Sequence, residues 1–267
     1  MRILADLGAA GRIPVSYHVA GSGLPLVFLH GYLESKAIWR EFIPGFTGHY
    51  QVFTIDLPGH GLTPPAGDVS TMELMARAVL AVLDHHGIGR AVVVGHSMGG
   101  YTALAMLEHH AERLLGLVLI HSQPFADTEA ILEKRTRELD IVARGYKHLL
   151  VSQNIPNMFA EETLPLFTRE LRLTQRIAAH TSEEGILAAI RGLMVRPDRS
   201  RVLAEAKVPC LNFIGKNDKY IDFNQVSLRT VLPAGSERLI LEHSGHMGFF
   251  EEKARVYAGL RDFLRKF

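Results

Sequence analysis

The sequence predicts an α/β fold, a doubly wound and mostly parallel sheet with helices on both faces, and three observations predict it. Short continuous apolar runs, most of them ended by glycine, recur along the chain: "PLVFLHG", "YQVFTIDLPGHG", "RAVVVGHSMGG", "LLGLVLIHSQP", "VPCLNFIGKND" and a weaker "SERLILEHSGH". A strand buried on both faces has this form, because neither face needs polar residues. Several of the segments between these runs have helical spacing. Buried strands alternating with helices then require parallel pairing through crossover connections.

Taken in order, "ADLGAAGRIPVSYHVAGSG" reads as two short strands joined at a glycine-containing turn, with a second turn at Gly21-Ser22-Gly23. Met72, Met75, Ala76, Val79, Leu80 and Leu83 mark one face of a helix from about Ser70 to His86. Tyr101 to Arg113 is dominated by Ala, Leu and Met and favours a second helix, and "EEKARVYAGLRDFLRKF" closes the chain as an amphipathic helix. The alternation stops between Gln123 and Arg199. That stretch holds charged amphipathic segments, "TEAILEKRTRELDIVARGYKHLLV" and "SEEGILAAIRGLMV", separated by Pro156, Pro165 and Pro197. The expected organisation is a core made of residues 1–122 and 200–267, with a helical insertion at 123–199 covering the carboxyl ends of the strands.

Composition removes several classes of protein. With 267 residues, 47% of them hydrophobic, the chain can bury a core without disulfides or metal. Twenty-nine basic against 28 acidic residues leave no charge excess for nucleic acid. A single cysteine, Cys210, rules out an intramolecular disulfide and, within "VPCLNFIG", reads as a buried structural thiol. The first residues lack the apolar core of a signal peptide, and no apolar run approaches the ~20 residues that span a bilayer. A cytoplasmic protein with a small-molecule substrate, no membrane or nucleic-acid partner, and a monomeric or homodimeric state is the expectation.

The chemistry centres on Gly95-His96-Ser97-Met98-Gly99, which matches G-x-S-x-G between a strand-like and a helix-like run. A sharp strand-to-helix turn forces its central residue into a strained backbone region, and small residues two before and two after let the neighbouring backbones pass. The alternative for Ser97 is a helix N-cap. A serine nucleophile needs a base and an acid, in the chain order Ser, acid, His. Asp218, just past a buried strand, is preferred over Asp222 and Asp127. Of the two histidines beyond it, His246 lies in a loop flanked by Gly245 and Gly248 and is preferred over His243. Backbone amides of Met98 and Tyr32 are placed to form an oxyanion hole. The pairs His85-His86 and His109-His110 lack a metal-binding pattern, because adjacent helical residues face different directions.

With these residues in view, "LHGYLES", "IDLPGHGLT", "VGHSMGG", "GKNDKYI" and "SGHMGFFEE" resemble, in order and over nearly the whole chain, the landmarks of the α/β-hydrolase superfamily. The resemblance implies an eight-stranded sheet, a helical cap after the sixth strand, and neither cofactor nor metal. Epoxide hydrolases and haloalkane dehalogenases carry aspartate as nucleophile, so Ser97 argues against both. The chain is most similar to the small bacterial carboxylesterase-like group, which also contains carbon–carbon bond hydrolases, perhydrolases and a synthase of menaquinone assembly. The expected activity is hydrolysis of a small, largely apolar carboxylic ester through Ser97, Asp218 and His246. A carbon–carbon hydrolase or lyase using the same triad and a ligand-binding receptor on this scaffold are the alternatives. Phe125, Met158, Phe159 and Met194 of the insertion, together with His30, Met247 and Phe249, are the substrate-binding candidates, although His30 can equally serve by hydrogen-bonding its own loop. No arginine or lysine cluster is evident in the sequence for a phosphate or coenzyme A.

Overall fold

A computed structural model describes all 267 residues. Its eight strands are β1 (Arg2–Asp6), β2 (Arg12–Ala20), β3 (Leu24–Leu29), β4 (Tyr50–Ile55), β5 (Ala91–His96), β6 (Leu114–Ile120), β7 (Cys210–Gly215) and β8 (Glu237–Leu241). They form one sheet in the order β1-β2-β4-β3-β5-β6-β7-β8. The β1–β2 and β2–β4 pairs are antiparallel, and every pair from β4 onward is parallel. Every residue of β5 and of β7 is buried, as expected of strands covered on both faces. The sheet is mostly parallel, as the apolar runs predict, and eight-stranded, as the family resemblance implies.

Alternation along the strands sends neighbours to opposite faces. Val27, Leu29 and Val93 pack with helices α1 (Met72–His85) and α2 (Met98–His109), whereas Leu26, Phe28, Val92 and Val94 pack with the C-terminal helix Lys253–Leu264. Helix α1 starts at Thr71, whose hydroxyl accepts the Leu74 N–H, and buries the six apolar residues whose spacing identified it. Cys210 lies in β7, where burial pushes its thiol up to about 12, so it is an inert packing residue.

Between β6 and β7 the chain contains no strand. It forms α3 (Glu129–Ala143), α4 (Lys147–Asn157), α5 (Thr168–His180) and α6 (Glu183–Met194). Val142, Ile155, Phe159, Ile186 and Ile190 from this segment join the same apolar cluster as Leu26 and Phe28, so the segment packs directly on the core. Its two ends meet, because the Arg199 N–H donates to the Pro124 carbonyl at 2.7 Å. The buried Arg199 guanidinium also bonds Glu108 on α2 at 2.9 Å and Glu73 on α1. Replacing Arg199 with Met strands two carboxylates that are each about a third exposed. A loss of about 2 kcal/mol is expected, read from the urea unfolding midpoint.

Candidate active site

Ser97 sits between β5 and α2 with φ 49° and ψ −115°, and its side chain makes no capping hydrogen bond. The helix-cap reading is therefore excluded. Its strained backbone is fixed on both sides: the Ser97 N–H donates to the Ile120 carbonyl at 3.0 Å, and its carbonyl accepts from the Ser122 hydroxyl at 2.9 Å. The flanking glycines are needed for space. A Cβ on Gly95 would lie 2.4 Å from the Gly99 carbonyl carbon, and one on Gly99 would lie 2.5 Å from the Leu29 carbonyl oxygen at the end of β3. Only two other non-glycine residues have positive φ, Leu33 at 61° and His121 at 47°. Leu33 and Ser97 line one cavity, and His121 touches Asp218, so all the backbone strain of this kind lies around one site.

That cavity, of about 190 Å³, brings Ser97 and His246 together with Tyr32 and Met98. The His246 Nδ1–H donates to Asp218 Oδ2 at 2.8 Å, which leaves Nε2 as the ring nitrogen available to the cavity. The other carboxylate oxygen of Asp218 accepts the N–H groups of Tyr220 and Ile221 at 2.8 and 3.0 Å. Burial alone would raise the acid's pKa, but His246 and His121 outweigh it and hold the carboxyl well below the usual range. Asp222 instead caps a short helix by accepting the Gln225 N–H, and His243 lies exposed beyond β8. The preference for Asp218 and His246 over these neighbours thus has a geometric basis.

Three supporting residues escape the sequence analysis. His121, at the end of β6, donates through Nδ1 to the same Asp218 oxygen at 3.2 Å, while its Nε2 accepts the Gly248 N–H at 3.0 Å. Burial lowers its pKa to about 4 against the pull of Asp218, so the ring is neutral near pH 7. Glu34 accepts the Gly31 N–H at 2.6 Å and bonds His96 Nδ1 at 3.0 Å, and His96 Nε2 reaches the His246 carbonyl at 2.9 Å. Both nitrogens of His96 face acceptors, so the ring is an imidazolium; burial opposes the charge, but Glu34 more than offsets it and raises the pKa. Glu251 accepts the N–H groups of Gly245 and Met247 on one oxygen, and the Ala160 N–H and Thr163 hydroxyl on the other. The loop carrying His246 is thereby tied to the helical segment, where the Met158 carbonyl also accepts the His246 N–H. No motif signals these residues, because their partners are distant in sequence.

The substrate-binding candidates need correction. Met158 lines the cavity, but His30, Phe125, Phe159, Met194, Met247 and Phe249 do not. His30 holds its own loop, accepting the Leu57 N–H at 3.0 Å and donating to the Gly31 carbonyl at 2.8 Å. Phe125 packs with Ile214, Ile221 and Val226, and Phe159 and Met247 lie within the apolar cluster that Met194 packs against. Phe249 stacks on Trp39 with ring centroids 4.6 Å apart. Adjacency to a catalytic position in a turn does not aim a side chain the same way, and large apolar groups go where most area is buried. The cavity also brings together basic residues that are dispersed in the sequence: Lys134, Arg135, Arg196 and Lys219 line it with Asp127 and Glu138. Asp127, the weaker rival acid, is bound by Arg135 and Arg196. Its pKa is held low by these two partners against the effect of burial.

His121, Asp218 and His246 place potential ligand atoms within 4.8 Å of one another. As a metal set they fit poorly, since each Nδ1 proton is directed at the carboxylate and His121 Nε2 is already an acceptor. Glu73 and Glu108 of a second cluster are engaged by Arg199.

Residues 25–253 match the family model described as alpha/beta hydrolase fold, and the chain belongs to this family. It is 28% identical to a pimeloyl-[acyl-carrier protein] methyl ester esterase of Aeromonas hydrophila, over 88% of this chain and 93% of the relative. It is also 28% identical to a 2-hydroxy-6-oxononadienedioate/2-hydroxy-6-oxononatrienedioate hydrolase of Burkholderia vietnamiensis, over 96% and 92% of the two chains. Among solved structures, a thermophilic esterase from Thermogutta terrifontis superposes with a TM-score of 0.93 at 27% identity, covering 100% of this chain and 98% of the other. The protein is an α/β-hydrolase enzyme. No helix is long and apolar enough to cross a membrane.

His121 generates a prediction about pH. Its folded pKa, about 4, lies below the ordinary 6.5, so its contribution to stability is complete above pH 6.5. It is lost as pH falls toward 4, because only the unfolded chain takes up the proton in that window; the amount is on the order of 3 kcal/mol. In His121→Asn the dependence of the urea midpoint on pH between 4 and 6.5 should flatten by that amount. An unchanged slope would show that His121 is not buried as the neutral ring.

Proposed function

We propose that this enzyme hydrolyses small carboxylic esters through an acyl-enzyme on Ser97. The observation that carries the reading is the conjunction at one cavity of a strained, uncapped serine and a histidine whose other nitrogen is bound to a buried carboxylate. His246 Nε2 takes the Ser97 proton as the oxygen attacks the ester carbonyl. Asp218 keeps the Nδ1–H tautomer in place and stabilises the imidazolium that forms. The tetrahedral oxyanion is received by the N–H of Met98, which in the first turn of α2 has no intrahelical acceptor, and by that of Tyr32. Each such donor is worth about 3 kcal/mol in the transition state. His246 then returns the proton to the leaving alcohol, and water activated by the same nitrogen releases the acid.

Similarity to the methyl ester esterase and to the thermophilic esterase supports ester cleavage. The equal identity to the 2-hydroxy-6-oxononadienedioate/2-hydroxy-6-oxononatrienedioate hydrolase supports a second reading, cleavage of a carbon–carbon bond by the same groups. Ser97→Ala is expected to lower kcat/KM on p-nitrophenyl acetate or butyrate by about 10⁴-fold or more. Retention of most of the rate by that variant would rule out the acyl-enzyme. Negligible ester turnover combined with turnover of a vinylogous diketone would transfer the assignment to the second reading.

A further inference from the structure

The wall of the cavity supplied by the helical segment carries more positive charge than its own carboxylates neutralise. Arg135 on α3 and Arg196, just beyond α6, converge on one carboxylate, Asp127, whose side chain is buried. The Arg135 Nε–H donates to Asp127 Oδ2 at 2.5 Å. Arg196 is only 5% exposed, and its partners are incomplete. Its Nη1 donates to the Leu193 carbonyl at 2.9 Å, but Nη2, 2.7 Å from Asp127 Oδ1, is not aligned for a hydrogen bond, and Nε has no acceptor. The guanidinium lies over the Tyr101 ring, 4.2 Å from its centroid, and both side chains face the cavity that holds Ser97 and His246.

A buried guanidinium without a full set of acceptors is costly to maintain unless a ligand completes it. The planar fork of arginine fits a carboxylate, and the single surplus charge of two guanidiniums on one aspartate matches a monoanion. We propose that Arg196, with Arg135 and Asp127, forms a carboxylate subsite, so that the ester cleaved at Ser97 carries a second, free carboxyl group; this rests on the ester-cleaving reading. The substrate class is then the half-ester of a short dicarboxylic acid, or an ester whose alcohol part bears the acid. It is not the largely apolar ester that the sequence suggested.

The test is a discrimination ratio, kcat/KM for monomethyl glutarate over that for dimethyl glutarate. In the unaltered enzyme it should be about ten or more, and Arg196→Gln should reduce it about tenfold. A ratio of about one or less in the unaltered enzyme both for this pair and for 3-acetoxypropanoate over ethyl acetate, or a preference that the substitution leaves unchanged, overturns the subsite. 3-Acetoxypropanoate, measured against ethyl acetate, places the acid on the alcohol side and identifies which half of the ester docks. Binding separates this proposal from the catalytic one. Ser97→Ala, studied by calorimetry, should bind glutarate about tenfold more tightly than glutaramide, whether or not any ester is turned over. Equal binding of the two, or binding of neither, overturns the subsite, and this comparison decides the matter if Arg196→Gln fails to fold.

Discussion

A buried ion pair, Glu34 with His96, holds together the loops on which the site depends. One oxygen of Glu34 receives both the Gly31 N–H of the loop after β3 and the ring of His96, the residue before Ser97. The far nitrogen of that ring reaches the carbonyl of His246. Removing two charges from water costs several kcal/mol each, and a salt bridge of this kind adds little net stability. Its effect here is geometric. The loop carrying Tyr32, the turn carrying Ser97 and the loop carrying His246 are fixed relative to one another through two side chains, and displacing any one takes a hydrogen-bond partner from the buried pair.

The strain at the site is held by similar means. Leu33, Ser97 and His121 adopt positive φ, and hydrogen bonds hold Ser97 and His121 in place. Ser97 is fixed by the carbonyl of Ile120 and the hydroxyl of Ser122. His121 is fixed by Asp218 on one nitrogen and Gly248 on the other. A strained residue of this type costs of order 1–3 kcal/mol and persists only where its surroundings over-determine it. In return, the serine oxygen is free of the capping bond it would make in a relaxed turn.

The helical segment between β6 and β7 both covers and supports the site. Its carbonyl at Met158 and its N–H at Ala160 hold the His246 loop, directly and through Glu251. Its α3 and the chain just after α6 supply the basic wall of the cavity. One segment, anchored by Arg199 to α1 and α2, thus both holds the loop of His246 and lines the cavity.

The fold class and the order of Ser97, Asp218 and His246 were legible in the chain because both depend on local pattern. A strand buried on two faces needs a continuous apolar run, and a sharp strand-to-helix turn needs glycines at fixed offsets. Side-chain direction was not legible. Phe249, three residues from His246, turns away to stack on Trp39, and Phe125 packs under the short helix that follows Asp218. Nor were partnerships between distant residues: Glu34 with His96, His121 with Asp218, and Arg135 with Arg196 across Asp127 exist only once the strands are in register and the helical segment has folded back. Periodicity specifies which face of an element is apolar. The chemistry of a cavity wall depends on which faces meet, and packing decided that.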